Sequence, residues 1–203
     1  FAGSGAKGKP MMVVSATIST SPTMIYFGQE VGEAANENAG FGTHSRTSIF
    51  DYIGVPSHQR WMNEGKFDGG QLTEGEKELR DFYKRLLNFT INSSALMGKY
   101  DDLQFYNRPI TANYDPAVYS YVRWSDDEKL IVVTNFSADK TSVFDLKIPE
   151  NIIQEWGLLD GHHVVLDQLY QKSKVVLDIK NGLGTLQINI APLESFIYRL
   201  DKK

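Results

Sequence analysis

The feature that most restricts what this chain can fold into is a change of period near residue 103. Before it, Leu79, Phe82, Tyr83, Leu86 and Leu87 recur at the spacing of one helical face. After it, apolar residues alternate in short runs separated by turn residues, almost to the C-terminus. Thr73-Glu74-Gly75-Glu76 has the form of a capping box, in which hydroxyl and carboxylate satisfy first-turn amides, so a helix is predicted over 76–92. Strands are predicted near 103–108, 117–124, 129–136, 141–148, 163–170, 173–179, 184–190 and 193–200. Asp126-Asp127, Ala138-Asp139, Asn181-Gly182 and Ala191-Pro192 mark turns. In the second strand Val118, Ser120 and Val122 share one face, and Tyr119, Tyr121 and Arg123 the other. Strands of this number and spacing imply a sandwich or Greek-key domain, with a short helix or loop around 149–160.

The N-terminal part reads differently. For Met11–Ile18 two readings compete. Pro10 suits the first position of a helix, whereas Val13, Val14, Thr17 and Ile18 favour strand. After Pro22, the segment Thr23-Met24-Ile25-Tyr26-Phe27 is short, nearly continuously apolar and stopped by Gly28. That pattern suits a strand covered on both faces in a parallel sheet. Such a strand needs neighbours that this chain does not supply. Residues 28–72 are rich in Gly, Asn and Ser and carry little periodicity, as a long functional loop would.

Composition narrows the function. A formal charge of −4 and no concentrated basic surface argue against nucleic acid as a partner. The absence of cysteine excludes disulfides and thiolate metal sites. No apolar run approaches the roughly 20 residues of a membrane-spanning helix. The start FAGSGAKGKP lacks the apolar core of a signal peptide, and a first residue, Phe1, other than Met suggests truncation or processing. Secreted, periplasmic and cytoplasmic locations are all compatible with such a chain.

Several segments, in order, carry a family resemblance. P-T-M-I-Y-F-G-Q-E-V-G, Pro22 to Gly32, resembles the strand-eight signature G-x-P-x-I-Y-Y-G-x-E-x-G of the α-amylase family, glycoside hydrolase family 13. Arg46 to Tyr52 resembles the Arg-centred segment after that strand, and Leu79 to Leu96 the last barrel helix with its following Ala-Leu pair. Val118–Arg123 and Leu130–Ser137 are similar to the V-x-A-F-x-R and V-V-x-N-F-S strands of the family's C-terminal domain, and Ala191–Leu200 to its closing strand. Ser21 stands in place of the usual Gly, Pro22 sits one residue early, and Thr90 replaces the arginine that closes the last-helix motif.

The resemblance implies an α+β fragment: the end of a (β/α)8 barrel over 1–100, then an all-β Greek-key sandwich, domain C, over 101–203. Met11–Thr20 would be the seventh barrel helix and Thr23–Phe27 the eighth strand. Residues 29–72 would be the loop on the face where such barrels place their active sites. The family's chemistry is retaining hydrolysis of α-1,4-glucans by two carboxyl groups about 5–5.5 Å apart. These precede strand eight in the family and are expected upstream of Phe1, so no catalytic residue is expected in this chain. Substrate-facing or supporting candidates are Tyr26, Glu30, Arg46, Tyr52 and Trp61; each also has an ordinary reading as a packing ring or loop-tying ion pair. No metal site is expected here, because His44 and His58 are poorly spaced for one; calcium would belong to the missing N-terminal part. Two other readings remain. One is a non-catalytic glucan-binding sandwich using Trp124, Trp156 and the Tyr119/Tyr121 region; the other is a transglycosylase or isomerase of the same family. The apolar segment 11–27 is expected to be disordered, to drive self-association, or to be covered by the missing barrel portion.

Overall fold

A computed structural model describes residues 4–34, 55–171 and 174–201 of the 203. The chain forms two compact units, residues 1–9 with 22–85 and residues 10–21 with 86–203. Among the described residues no helix is long and apolar enough to cross a membrane.

The first unit holds the start of helix α1 (Gly5–Thr17), a 3-10 turn at Gln29–Val31, helix α2 (Pro56–Met62) and most of helix α3 (Glu74–Asn92). The capping box at α3 forms in both directions. The Thr73 N–H donates to Glu76 Oε2 at 2.9 Å, and the Glu76 N–H donates to Thr73 Oγ1 at 3.4 Å. The face read from the sequence is the buried one, since Leu79, Phe82, Tyr83 and Leu86 are all inaccessible. Thr23–Phe27 makes no sheet ladder, contrary to the expected strand. The physical reason is the one its composition implied: a parallel strand without neighbours has no sheet partner for its N–H and C=O groups.

The second unit is built on one eight-stranded antiparallel sheet. Its strands are β1 (Lys99–Asp102), β2 (Val118–Trp124), β3 (Lys129–Asn135), β4 (Ser142–Ile148), β5 (Gly161–Asp167), β6 (Lys174–Lys180), β7 (Leu183–Ile190) and β8 (Ser195–Leu200). They lie in the order β1-β2-β3-β8-β5-β6-β7-β4. The hairpins β5-β6-β7, with β4 returning beside β7, make a Greek key. One hydrophobic cluster takes Val118 and Val122 from one end of this order and Phe144, Leu146 and Ile148 from the other, so the sheet curls around a single core. Between β1 and β2 lies the short helix α4 (Gln104–Asn107), and helix α5 (Glu150–Glu155) adds Ile152 and Ile153 to the core.

Burial differs along the sheet. Strands β4 and β7 alternate buried and open positions, as a sheet with one wet face does. Strands β2 and β3 are buried almost throughout because both faces are covered. Val118 and Val122 face the core. On the opposite face the Tyr121 hydroxyl pairs with Thr17 Oγ1 of α1 at 2.5 Å. The guanidinium of Arg123, fully buried, donates to the carbonyls of Ile18 at 2.6 Å, Gly98 at 3.3 Å and Leu96. Gly98 has to be glycine, because a Cβ there would stand 2.0 Å from the Trp124 carbonyl oxygen.

Several expectations need correction. Helix wins over strand at Met11–Ile18, but α1 begins at Gly5, so Pro10 lies inside the helix instead of at its first position. Nor is this segment laid bare: Met12, Val13, Ala16 and Thr17 are buried. The strand expected at 103–108 is instead α4, and β1 precedes it. Asp102 Oδ1 accepts the Phe105 N–H at 2.8 Å, and the Asn107 amide donates to the Leu103 carbonyl at 2.8 Å, which favours a helical turn. Strand β5 stops at Asp167 instead of 170, because that buried carboxylate accepts the Leu169 and Tyr170 N–H groups at 3.1 and 3.0 Å and turns the chain.

Asn107 closes the curled sheet. It is fully buried, accepts the Lys147 N–H at 2.8 Å and donates to the Lys147 carbonyl at 2.9 Å, standing in for a missing neighbour of edge strand β4. Asn107→Ala would strand both groups and is expected to cost about 2–3 kcal/mol. In urea unfolding followed by tryptophan fluorescence, the midpoint should fall with an unchanged slope.

Candidate functional site

The first unit carries the candidate site residues that are described, and it is built around a tight turn. Gly28 and Gly32 of the strand-eight-like motif both have positive φ, 75° and 69°. At Gly28 a Cβ would also meet Glu33 Cβ at 2.7 Å, so that position excludes side chains on two counts. Between the glycines, Gln29 accepts the Tyr26 N–H at 3.0 Å and donates to the Tyr83 hydroxyl at 2.9 Å. Burial and the neighbouring Glu30 carboxylate push the Tyr83 phenol up, with the Gln29 bond opposing.

Helix α2 packs onto the end of this segment through a ladder of rings. Phe27 and His58 lie 4.4 Å apart, His58 and Trp61 5.5 Å, and Trp61 and Phe67 5.8 Å. The Arg80 guanidinium sits over the Trp61 ring at 5.2 Å. Glu33 holds the start of α2 by accepting the His58 backbone N–H at 3.0 Å. One turn on, Arg60 forms a two-pronged ion pair with Glu76, with its Nε at 3.0 Å. That pairing, against the cost of burial, holds the Glu76 carboxyl down at about 2.

Of the five candidates, Tyr26 is half exposed in the extended segment, Glu30 stands in the Gln29–Val31 turn, and Trp61 is engaged in the ring ladder. Arg46 and Tyr52 lie outside the described residues. So does Phe1, the residue upstream of which the catalytic carboxylates are expected. The structure adds Gln29, Glu33, His58 and the Arg60–Glu76 pair, none of which was singled out as a site residue. Only Glu76 had a signal, as the last member of the capping box. Among the described residues, every carboxyl with a displaced titration is lowered: Asp68, Glu76, Asp115, Glu155, Asp160 and Asp178. A glycosidic acid needs the opposite shift, so that it still carries a proton near neutral pH. No cluster of three His, Asp or Glu side chains among the described residues is arranged to hold a metal.

No family model matches the sequence, and no curated protein matches it significantly. Solved structures do match. Residues covering 98% of the chain superpose on 35% of a substituted AmyP in complex with maltotriose, at a TM-score of 0.61 and 20% identity. A noncanonic maltogenic α-amylase, AmyB from Thermotoga neapolitana, matches 98% of the chain over 37% of its own, at 0.59 and 10%. The trehalulose synthase MutB from Pseudomonas mesoacidophila MX-45 matches 97% over 38%, at 0.52 and 17%. The chain thus spans about a third of the length of the structures it resembles. At these identities the likeness establishes the fold, and the eight-stranded antiparallel sheet matches that of an amylase C-terminal domain.

The Arg60–Glu76 pair gives this unit an acid-sensitive component. A carboxyl held at about 2 in the folded chain, against 4.5 for the free group, contributes stability above about 4.5 that is lost as pH falls toward about 2. Glu76→Gln should lower the thermal midpoint at pH 7, and the difference from the unsubstituted chain should vanish near pH 2. A constant difference across that range would show that charge plays no part.

Proposed function

We propose that this chain is the C-terminal portion of an α-amylase-family glycoside hydrolase that cuts α-1,4-glucans by a retaining mechanism when joined to the rest of its barrel. The observation that carries this reading is the match of 98% of the chain to about a third of AmyP, beside the ordered motifs that resemble the family. The segment Thr23–Phe27, which joins no sheet and has Met24 83% exposed, suits a final barrel strand whose neighbours lie elsewhere. The half-exposed Tyr26 near its end and the Glu30 turn after it would lie at the end where such barrels bind substrate. Arg46 and Tyr52 are further candidates by resemblance, and Trp61 stands in the ring ladder that reaches Phe27 through His58. In this reading the nucleophile and acid come from the part of the enzyme that precedes the strand-eight-like motif in the family.

A second reading, a transglycosylase or isomerase, draws support from the likeness to a trehalulose synthase. The β unit and the end of the barrel would serve either chemistry. A product dominated by a disaccharide such as trehalulose, in place of shortened glucans, would favour it.

The 203-residue chain incubated with starch is expected to release no reducing sugar, while a longer chain carrying the upstream barrel releases it steadily. Reducing sugar from the purified short chain would overturn the assignment of the catalytic carboxylates.

A further inference from the structure

We propose that the Tyr100–Tyr119 pair at the β1 edge of the sheet is a surface binding site for an α-glucan, separate from the barrel chemistry. The choice of glucan as ligand rests on the α-amylase-like reading above; the geometry of the site does not. The exposed aromatics anticipated on this domain are mostly core: Trp124, Trp156 and Tyr121 are buried. What remains open lies beside them. Tyr100 is 40% exposed on edge strand β1, and its hydroxyl meets that of Tyr119 on β2 at 2.7 Å. Both rings rest on the buried ring of Tyr121, at 5.8 and 5.2 Å between centroids, and Tyr121 is fixed to Thr17. The rings are therefore held before any ligand arrives, which lowers the ordering cost of stacking.

The polar groups narrow the ligand class. The Tyr100 hydroxyl also lies 3.4 Å from Asp102 Oδ2, so the Tyr119 hydroxyl can donate to Tyr100 and that of Tyr100 to the carboxylate. This leaves lone pairs on both phenol oxygens and on Asp102. Asp102 is itself fixed, because its other oxygen accepts the Phe105 N–H. Burial pushes both phenols up, so both stay protonated at neutral pH. Asp102 makes the face acidic, and Arg123, paired across from Tyr100, is buried and committed to backbone carbonyls. An acidic, acceptor-rich face beside preset rings disfavours anions. It suits a neutral ligand with many hydroxyl donors and a flat C–H surface, which is a pyranose chain.

The test is electrophoresis of the full chain through gels containing amylopectin, with a maltoheptaose titration followed by NMR. The unsubstituted chain should be retarded, and maltoheptaose should shift the ring signals of Tyr100 and Tyr119. Tyr100→Leu, with an unchanged thermal midpoint, should weaken binding about tenfold, whereas Tyr100→Phe should keep most of it. No retardation, ring signals that stay put, or a folded Tyr100→Leu that binds as tightly as the original would overturn the proposal. If Tyr100→Leu fails to fold, the ring shifts decide alone. In the longer enzyme, Tyr100→Leu should leave hydrolysis of short maltooligosaccharides unchanged. An unsubstituted enzyme that hydrolyses but is not retarded would therefore sink this site alone, and retardation without any hydrolysis would sink only the enzymatic reading.

Discussion

The guanidinium of Arg123 is the constraint around which the second unit is arranged. A buried cation without a carboxylate partner is costly unless other dipoles replace water. Here the carbonyls of Ile18, at the C-terminal end of α1, and of Leu96 and Gly98, at the end of the 3-10 turn Ser94–Met97, supply them. Carbonyls at a helix end lack intrahelical partners and have the dipole's negative end behind them. One side chain thus satisfies chain ends from two distant segments and fixes both against β2. Tyr121, two residues earlier on the same face, adds the bond to Thr17. With α1 held against β2, that strand is buried on both faces, which is why Ser120 and Arg123 are as inaccessible as its apolar residues.

Much of this was legible in the residues. The capping box, the apolar face of α3 and seven of the eight strands follow from period and turn chemistry, with ends shifted by a few residues. The alternation in β2 correctly set Tyr121 and Arg123 on one face, but nothing local could say that a helix about 100 residues upstream would cover it. The failure at 103–108 is instructive. Leu103-Gln104-Phe105-Tyr106 alternates as a strand does, yet Asp102 and Asn107 bond to nearby backbone and win the segment for a helical turn. Asn107 was invisible as a structural residue because its partner, Lys147, lies 40 positions away.

The site was less legible. Tyr26, Glu30 and Trp61 follow from resemblance and residue type, whereas the contacts that hold Tyr26 and Trp61 run through Gln29, an unspecified position of the motif, and His58, outside it. Gly28 and Gly32 are the exception: their positive φ gives the glycines of the strand-eight-like motif a physical reason. The glycine-bounded turn, the ring ladder beside it and the Arg60–Glu76 pair tie the short elements of the first unit to one another. The β unit, for its part, is a self-contained sheet with its own core.

The central claim is that Arg123 and Tyr121 make the later part of α1 an integral piece of the β unit. Native-state amide hydrogen exchange tests it most directly. The account predicts that amides of residues 12–17 open only together with those of β2 and β3, at the same free energy. Exchange of 12–17 as freely as an unstructured segment, with β2 and β3 still protected, would contradict it.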